Sequence, residues 1–362
     1  MQRTRTSITL RAAALPLALV LGVVGCANGN NAGTTDTDPT AEALSGTLNA
    51  SGATFPQAFY EEAIAAYNEG QPGVTINYAG GGSGKGRTDL QNKLVDFAGS
   101  DGLIKAEDKP KYPGTVLYFP TVAGPITVSY NLPGINNLKL TPDVIAKVFQ
   151  REIKTWNDAA IKADNPDAAL PATPITVAHR SDGSGTTEQF TKYLGAAATN
   201  AWKLGSGSTV SWPADTQGGQ GNTGVAGIVK QTAGAVGYVD LSDAKATGLQ
   251  IALVRNKAGK FVAPTPAGVS AALAGVTVNE DLTYNPLDAA GDDAYPIAAP
   301  TWILAYAEQS DAGRAELLKA FLEFVVTDGQ DLAGGLNYAR LPDELAAKSK
   351  AQIDRITVVA GS

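Results

Sequence analysis

A chain of 362 residues with a net charge of −7, one cysteine and one histidine rules out several classes at once. The acidic balance is the wrong sign for a nucleic-acid binder. A lone cysteine permits no disulfide framework, and one Cys with one His cannot build a zinc or haem site from nitrogen and sulfur ligands.

The first 25 residues hold Arg3, Arg5 and Arg11, no acid, and an apolar run from Ala12 to Val24. Residues 1–25 read as a secretory signal peptide, too short for a comfortable membrane span. The run ends in Val23-Val24-Gly25-Cys26, similar to the bacterial lipoprotein cleavage box, and Cys26 is expected to be the acylated N-terminus. Residues 26–45 then read as lipid anchor and flexible tether, because Ala27–Thr40 is rich in Asn, Gly, Thr and Asp with no apolar period. About 315 residues remain, enough for two domains.

Next comes Ser51-Gly52-Ala53-Thr54-Phe55-Pro56, which leads into a helix over about Gln57 to Asn68, with Thr54 and Gln57 at capping-box spacing. Val74–Tyr78 alternates as a strand. It is followed by Gly80-Gly81-Gly82-Ser83-Gly84-Lys85-Gly86 and a helix carrying Leu90 and Leu94. This glycine loop fails the nucleotide P-loop pattern, since Ala79 stands where the first Gly belongs and Gly86 where the magnesium hydroxyl belongs. It also fails the dinucleotide fingerprint, yet a strand running into a helix N-terminus still favours an anion. Ser83 is placed either to cap that helix or to face a ligand; Lys85 is expected to be solvated.

The same arrangement recurs. Val95 and Phe97 lead through Gly99 to Ser100-Asp101, and Ile175 and Val177 lead into His179-Arg180-Ser181-Asp182-Gly183-Ser184-Gly185-Thr186 and a helix through Phe190 and Leu194. In an open α/β sheet such turns face the ligand crevice. His179, Trp202, Trp212 and Trp302 read as packing residues, and Gly205-Ser206-Gly207-Ser208 as plain loop.

Together, Gly52-Ala53-Thr54-Phe55-Pro56, Gly82-Ser83-Gly84, Gly99-Ser100-Asp101 and Arg180–Thr186 resemble the phosphate-binding proteins of bacterial ABC-type phosphate importers. Ser211-Trp212-Pro213, Gly218–Asn222, Gly234–Tyr238 and Asn337–Pro342 are similar to the same family, so the resemblance spans roughly Gly46 to Ile356. It implies an α/β fold of two lobes, the type II-like periplasmic-binding-protein fold, with a hinge crossed twice and the ligand in the cleft between. The crossings fall near Val122-Ala123 and Tyr295-Pro296-Ile297. Lobe one is then 46–122 plus 298–362, and lobe two 123–297. The resemblance further implies phosphate contacts from Thr54, Phe55, Ser83 and Asp101 on lobe one and from Arg180, Ser184, Gly185 and Thr186 on lobe two. The implied partners are inorganic phosphate, an ABC permease with its ATPase, and the membrane through the N-terminal lipid, with no cofactor, nucleic acid or enzymatic activity.

The residue types suit that ligand. Amides and hydroxyls surround an oxyanion with many short bonds while Arg180 alone adds a full positive charge. Asp182 either orients that guanidinium or forms an Asx turn at Gly183. An ionised Asp101 accepts but cannot donate, so it pairs with the proton phosphate keeps near neutrality and is left unpaired by sulfate. Two rivals stand beside this reading: a site for sulfate, molybdate or an organic acid, and a hydrolase using Ser184. The hydrolase needs a general base, and His179 lies only five residues before Ser184 on the same strand end.

Overall fold

The computed structural model describes residues 44–359, so the expected signal peptide, Cys26 and most of the tether lie outside the described residues. The first elements are β1 (Gly46–Gly52), α1 (Gln57–Gly70), β2 (Val74–Gly80), α2 (Ser83–Gln91), β3 (Phe97–Ser100) and β4 (Val116–Tyr130). There follow β5 (Lys139–Leu140), α3 (Pro142–Phe149), α4 (Ala159–Asp164), β6 (Thr176–Arg180), α5 (Gly185–Ala197), β7 (Gln217–Gly219), α6 (Gly221–Gln231) and β8 (Ala235–Asp240). After α7 (Leu241–Thr247), the short strands β9 (Gln250–Ile251), β10 (Leu253–Arg255) and β11 (Phe261–Val262) precede α8 (Pro266–Leu273). The chain closes with β12 (Ala298–Tyr306), β13 (Glu308–Gln309), α9 (Ala312–Val326), α10 (Asp343–Gln352) and β14 (Thr357–Val358).

One curled sheet carries the architecture, in the order β2-β1-β3-β12-β4-β8-β6-β7, with β9 beside β4. β1 runs parallel to β2 and β3, and β6 parallel to β7 and β8, whereas β12 and β4 are antiparallel to their neighbours. β4 holds the two ends together. Its sequence, VLYFPTVAGPITVSY, is apolar on both faces and almost wholly buried, as expected of a strand covered on both sides. Val116–Pro125 pairs with β12, and Ile126–Tyr130 pairs with β8. At the changeover the Ile126 N–H donates to the Ile297 carbonyl at 2.9 Å, and the Tyr295 hydroxyl donates to the Ile126 carbonyl at 2.8 Å.

The β12–β4 ladder slips in register between Pro300 and Trp302. Pro300 and Pro120, which lack the N–H a regular ladder needs, both lie at the slip, in keeping with proline's confinement to bulges inside sheets.

Helices cover both faces. Phe59, Ala63 and Tyr67 of α1 and Leu318, Phe321 and Val325 of α9 are buried in the main core, while Val225, Ala226 and Val229 of α6 pack with Ala178 and Val239. Val269, Leu273 and Tyr284 fall in the segment that chain order alone assigns to lobe two. They pack instead with Leu90, Trp302 and Leu345, the Tyr284 ring meeting Trp302 edge-on at 5.5 Å. The order in which the chain crosses fixes connectivity and leaves open which sheet a long connection folds back upon.

Two local expectations differ. The helix after Phe55 starts without a capping box: Pro56 precedes it, and the Gln57 side chain bonds Glu61 at 2.7 Å. Leu94 lies beyond the end of α2 and is 68% exposed, because the helix stops at Gln91 and Lys93 turns into a left-handed conformation, φ 55°.

Candidate anion site

The C-terminal ends of β1, β2, β3 and β6 deliver four loops to one place. Gly82 precedes α2 with φ 91°, a backbone state that favours glycine, and an added Cβ would strike the Asp182 carboxylate and the Gly183 carbonyl. Gly185 opens α5, and a Cβ there would meet Ser83 Oγ and Asp101 Oδ2. These two glycines let the loop after β2 and the loop after β6 touch backbone to backbone, with the Gly84 N–H donating to the Gly183 carbonyl at 2.8 Å.

Asp101 lies just past β3 and is 1% exposed. Its Oδ1 accepts from the Thr301 hydroxyl at 2.8 Å and its Oδ2 from the Ser83 hydroxyl at 3.2 Å, while the Asp101 N–H donates to Ser83 Oγ at 3.1 Å. The Asp101 carbonyl accepts from the Gln189 side chain of α5. Burial pushes this carboxyl up to about 7, against the opposing pull of the Thr301 hydroxyl, the Arg180 charge, Ser83 and Arg87. The neutral acid is therefore brought within reach near neutrality, so the ionised carboxylate read from sequence is one of two accessible states.

Arg180, at the end of β6, is 4% exposed and oriented by four hydrogen bonds, which leaves one Nη2 hydrogen without a protein partner. Its Nε donates to Asp182 Oδ1 at 2.8 Å, and Nη2 donates to the other Asp182 oxygen. Nη1 reaches Asn222 Oδ1 at 3.0 Å and Thr186 Oγ1 at 3.3 Å. Asp182 also accepts the Gly221 N–H at 3.1 Å. Burial would raise the Asp182 carboxyl, but the hydrogen bonds and charge of Arg180 hold it below the usual carboxylate range. This bidentate pairing fixes the plane of the guanidinium, which is the orienting role of Asp182 rather than the Asx turn.

Thr54 accepts the Asn222 N–H at 3.3 Å, which ties the loop after β1 to the start of α6. Phe55 is fully buried, its ring edge-on to Tyr338 at 6.0 Å and its carbonyl accepting the Tyr338 hydroxyl at 2.7 Å. The backbone beside Thr54 is thus held at both ends. Ser184 is buried and caps α5, its Oγ accepting the Thr187 N–H at 3.0 Å. The next amides, Gly185 and Thr186, begin the helix and have no acceptor within it. Thr54, Phe55, Ser83, Asp101, Arg180, Ser184, Gly185 and Thr186 therefore come together around two helix N-termini, one buried cation and one buried acid.

Four residues without a role assigned from sequence also belong here: Thr301, Asn222, Gln189 and Tyr238, whose hydroxyl accepts the Arg180 N–H at 3.1 Å. Asn222 and Tyr238 stand in stretches that resemble the phosphate-binding family, and that placement was the available signal. Thr301 and Gln189 carried none. His179 stacks on Trp212 at 5.1 Å with Nδ1 on the Arg180 carbonyl at 2.9 Å, a packing role. Lys85 is bonded to Asp89 on its own helix and is half-exposed. Among the described residues no group of three or more His, Cys, Asp or Glu is arranged to hold a metal ion.

A family model described as a PBP superfamily domain matches residues 37–329. A phosphate-binding protein PstS of Methanocaldococcus jannaschii is 38% identical over 355 residues, covering 90% of this chain and 90% of the relative. One of Pasteurella multocida is 38% identical over 315 residues, covering 84% and 89%. Among solved structures, a high-affinity periplasmic phosphate-binding protein bound with phosphate at pH 8.5 superposes with a TM-score of 0.71 at 24% identity, covering 85% of this chain and 94% of that one. A phosphate-binding protein from Stenotrophomonas maltophilia gives 0.70 at 20% identity, with 85% and 94% covered. These structures share the two-lobe fold; the sequence relatives settle the family. The chain belongs to the PBP superfamily and, within it, to the PstS phosphate-binding proteins.

Proposed function

We propose that the protein binds inorganic phosphate outside the cytoplasm and delivers it to an ABC importer. The observation that carries this reading is the meeting of Asp101 and Arg180, two buried groups of opposite sign from different loops, at the amide-rich starts of α2 and α5. Such a nest stabilises an oxyanion by short bonds to amides, hydroxyls and one guanidinium. Asp101 adds a requirement for a proton between carboxylate and ligand, which phosphate supplies and sulfate does not.

In this reading Thr54, Phe55 and Ser83 hold the ion from one side with Asp101. Arg180, Ser184, Gly185 and Thr186 hold it from the other, and Asp182 aligns Arg180. The lobes divide at Pro125/Ile126 and Ile297/Ala298, with Val269, Leu273 and Tyr284 packed on the core of the first lobe, while Asp288 and Asp292 pair with Lys257 and Lys260 of the second. Ligand bridging both sides favours the closed form, which a permease and its ATPase then recognise. Cys26 would carry the lipid that keeps the protein at the membrane. Its relatives are binding proteins rather than enzymes, and His179, which a Ser184 nucleophile would need as its base, is turned to the Arg180 carbonyl and stacked on Trp212, which favours binding over hydrolysis.

Calorimetric titration of the purified protein with phosphate and with sulfate tests the assignment. Phosphate is expected to bind and sulfate to compete only at large excess at pH 8. Asp101→Asn should narrow the phosphate-over-sulfate preference at least tenfold, the scale of one unpaired buried polar group. A wild-type protein without heat or competition from phosphate would remove the reading.

A further inference from the structure

The acid at the centre of this site is held by a residue with no assigned role. Thr301 occupies the slip in the β12–β4 ladder: Pro300 pairs with Ala123 and Trp302 with Pro120, so Thr301 faces both Thr121 and Val122. On the other side of β12, Trp302 pairs with Ser100, which sets Thr301 beside Asp101. Trp302 turns into the hydrophobic cluster with Tyr118 and Tyr284, while the Thr301 hydroxyl reaches Asp101 Oδ1 at 2.8 Å. By regular alternation along β12, Thr301 shares the face of Ala299 and Ile303, opposite to that of Trp302.

The threonine is fully buried and its main chain is pinned. The Thr121 hydroxyl donates to the Thr301 carbonyl at 3.5 Å and lies 3.1 Å from the Tyr60 hydroxyl, itself fixed in the core. With Oδ1 occupied from β12, the remaining oxygen, Oδ2, faces Ser83 and the first residue of α5.

We propose that Thr301 is a positioning and specificity-determining residue: its hydroxyl claims one oxygen of Asp101, so that only the other is presented to the proton shared with the bound oxyanion. This inference rests on the phosphate-binding reading above and goes further, because it gives part of the proton discrimination to a hydroxyl on β12, the strand behind the site.

The proton balance follows from the groups around Asp101. Arg180 from β6 and Arg87 from α2 favour the carboxylate, while the hydroxyls of Tyr60 from α1, Tyr78 from β2 and Tyr338 face it without charge. The Thr301 hydrogen bond also favours the carboxylate. Removing it leaves burial less opposed, so Asp101 keeps its proton to higher pH. A protonated Asp101 donates to an oxyanion that has no proton, and sulfate then fits.

The test measures the inhibition constant of sulfate against radiolabelled phosphate from pH 5 to 9 in wild type, Thr301→Val and Thr301→Ser. In wild type, sulfate is expected to compete better as pH falls through about 7. In the valine variant that rise should begin at a pH about one unit higher, with sulfate binding about threefold tighter than in wild type at pH 7.5 and about tenfold tighter at pH 9, and serine should restore the wild-type profile. If Thr301→Val does not fold, Thr301→Ala carries the same comparison. An unchanged sulfate profile in the valine or alanine variant, or a serine variant that behaves like valine, overturns the role of Thr301 while leaving phosphate binding in place. A wild-type protein that binds no phosphate overturns the underlying reading instead.

Discussion

The tripeptide Gly-Ser-Gly occurs at the start of both helices that face the site, at residues 82–84 before α2 and 183–185 before α5, yet the two serines do different things. Ser184 stands outside α5 in an extended conformation and spends its hydroxyl on the Thr187 amide. Ser83 is already the first residue of α2, because Gly82, at φ 91°, takes the flanking position. Its hydroxyl makes no cap and turns to Asp101, as donor to the carboxylate and acceptor for the main-chain N–H. A helix that starts one residue earlier converts a structural hydroxyl into one that holds the acid. A third copy, Gly205-Ser206-Gly207, opens no helix, and the Ser208 carbonyl beside it accepts the Ser184 N–H at 2.9 Å. The stretch read as plain loop thus braces the cap.

Three substitutions sharpen this contrast. The largest effect is expected at Arg180, the cation behind the second loop. Arg180→Met leaves the partly buried Asp182 without its partner and removes the only full positive charge proposed to touch the ligand. Phosphate affinity should fall at least a hundredfold by calorimetry, in line with about 2–5 kcal/mol for truncating one partner of a desolvated charge pair in a complex. Next is Ser83→Ala, which deletes two bonds to Asp101. About a tenfold loss of affinity is expected, with the pH dependence of binding displaced upward, since Asp101 loses a donor that favours its ionised form. Smallest for binding is Ser184→Ala. Loss of the cap should cost about 1 kcal/mol, a drop of roughly 2–4 °C in Tm by thermal unfolding, with the pH dependence of binding unmoved. If the two alanine variants shift the pH profile equally, the distinction between the serines is wrong.

Much of this was legible because strand-to-helix turns have strong local grammar. The alternation of Val74–Tyr78, the glycines after it, and the strand ending in Arg180 before a helix all depend on neighbours within a few residues, and each formed where expected. The capping box at Thr54 and Gln57 did not form, since its spacing is also compatible with the Pro56 start that the structure adopts. Leu94 matched a helical period that the left-handed Lys93 interrupts. Thr301 was out of reach for a different reason. It meets Asp101 through the pairing of β12 with β3, 200 residues away along the chain, and pairing register at that distance leaves no periodic mark on either segment. The burial that lifts Asp101 was hidden for the same cause, since Thr301, Gln189 and Tyr60 all approach it from remote sequence.

The single long strand β4, shared by the two ends of the sheet, has a consequence for how the molecule comes apart. Its first ten residues complete one array and its last five another. Neither array can melt without stripping a bordering strand from its neighbour. Even if the halves close on a ligand as proposed, this shared strand ties them into one unit when the molecule denatures, and neither half has an independent life.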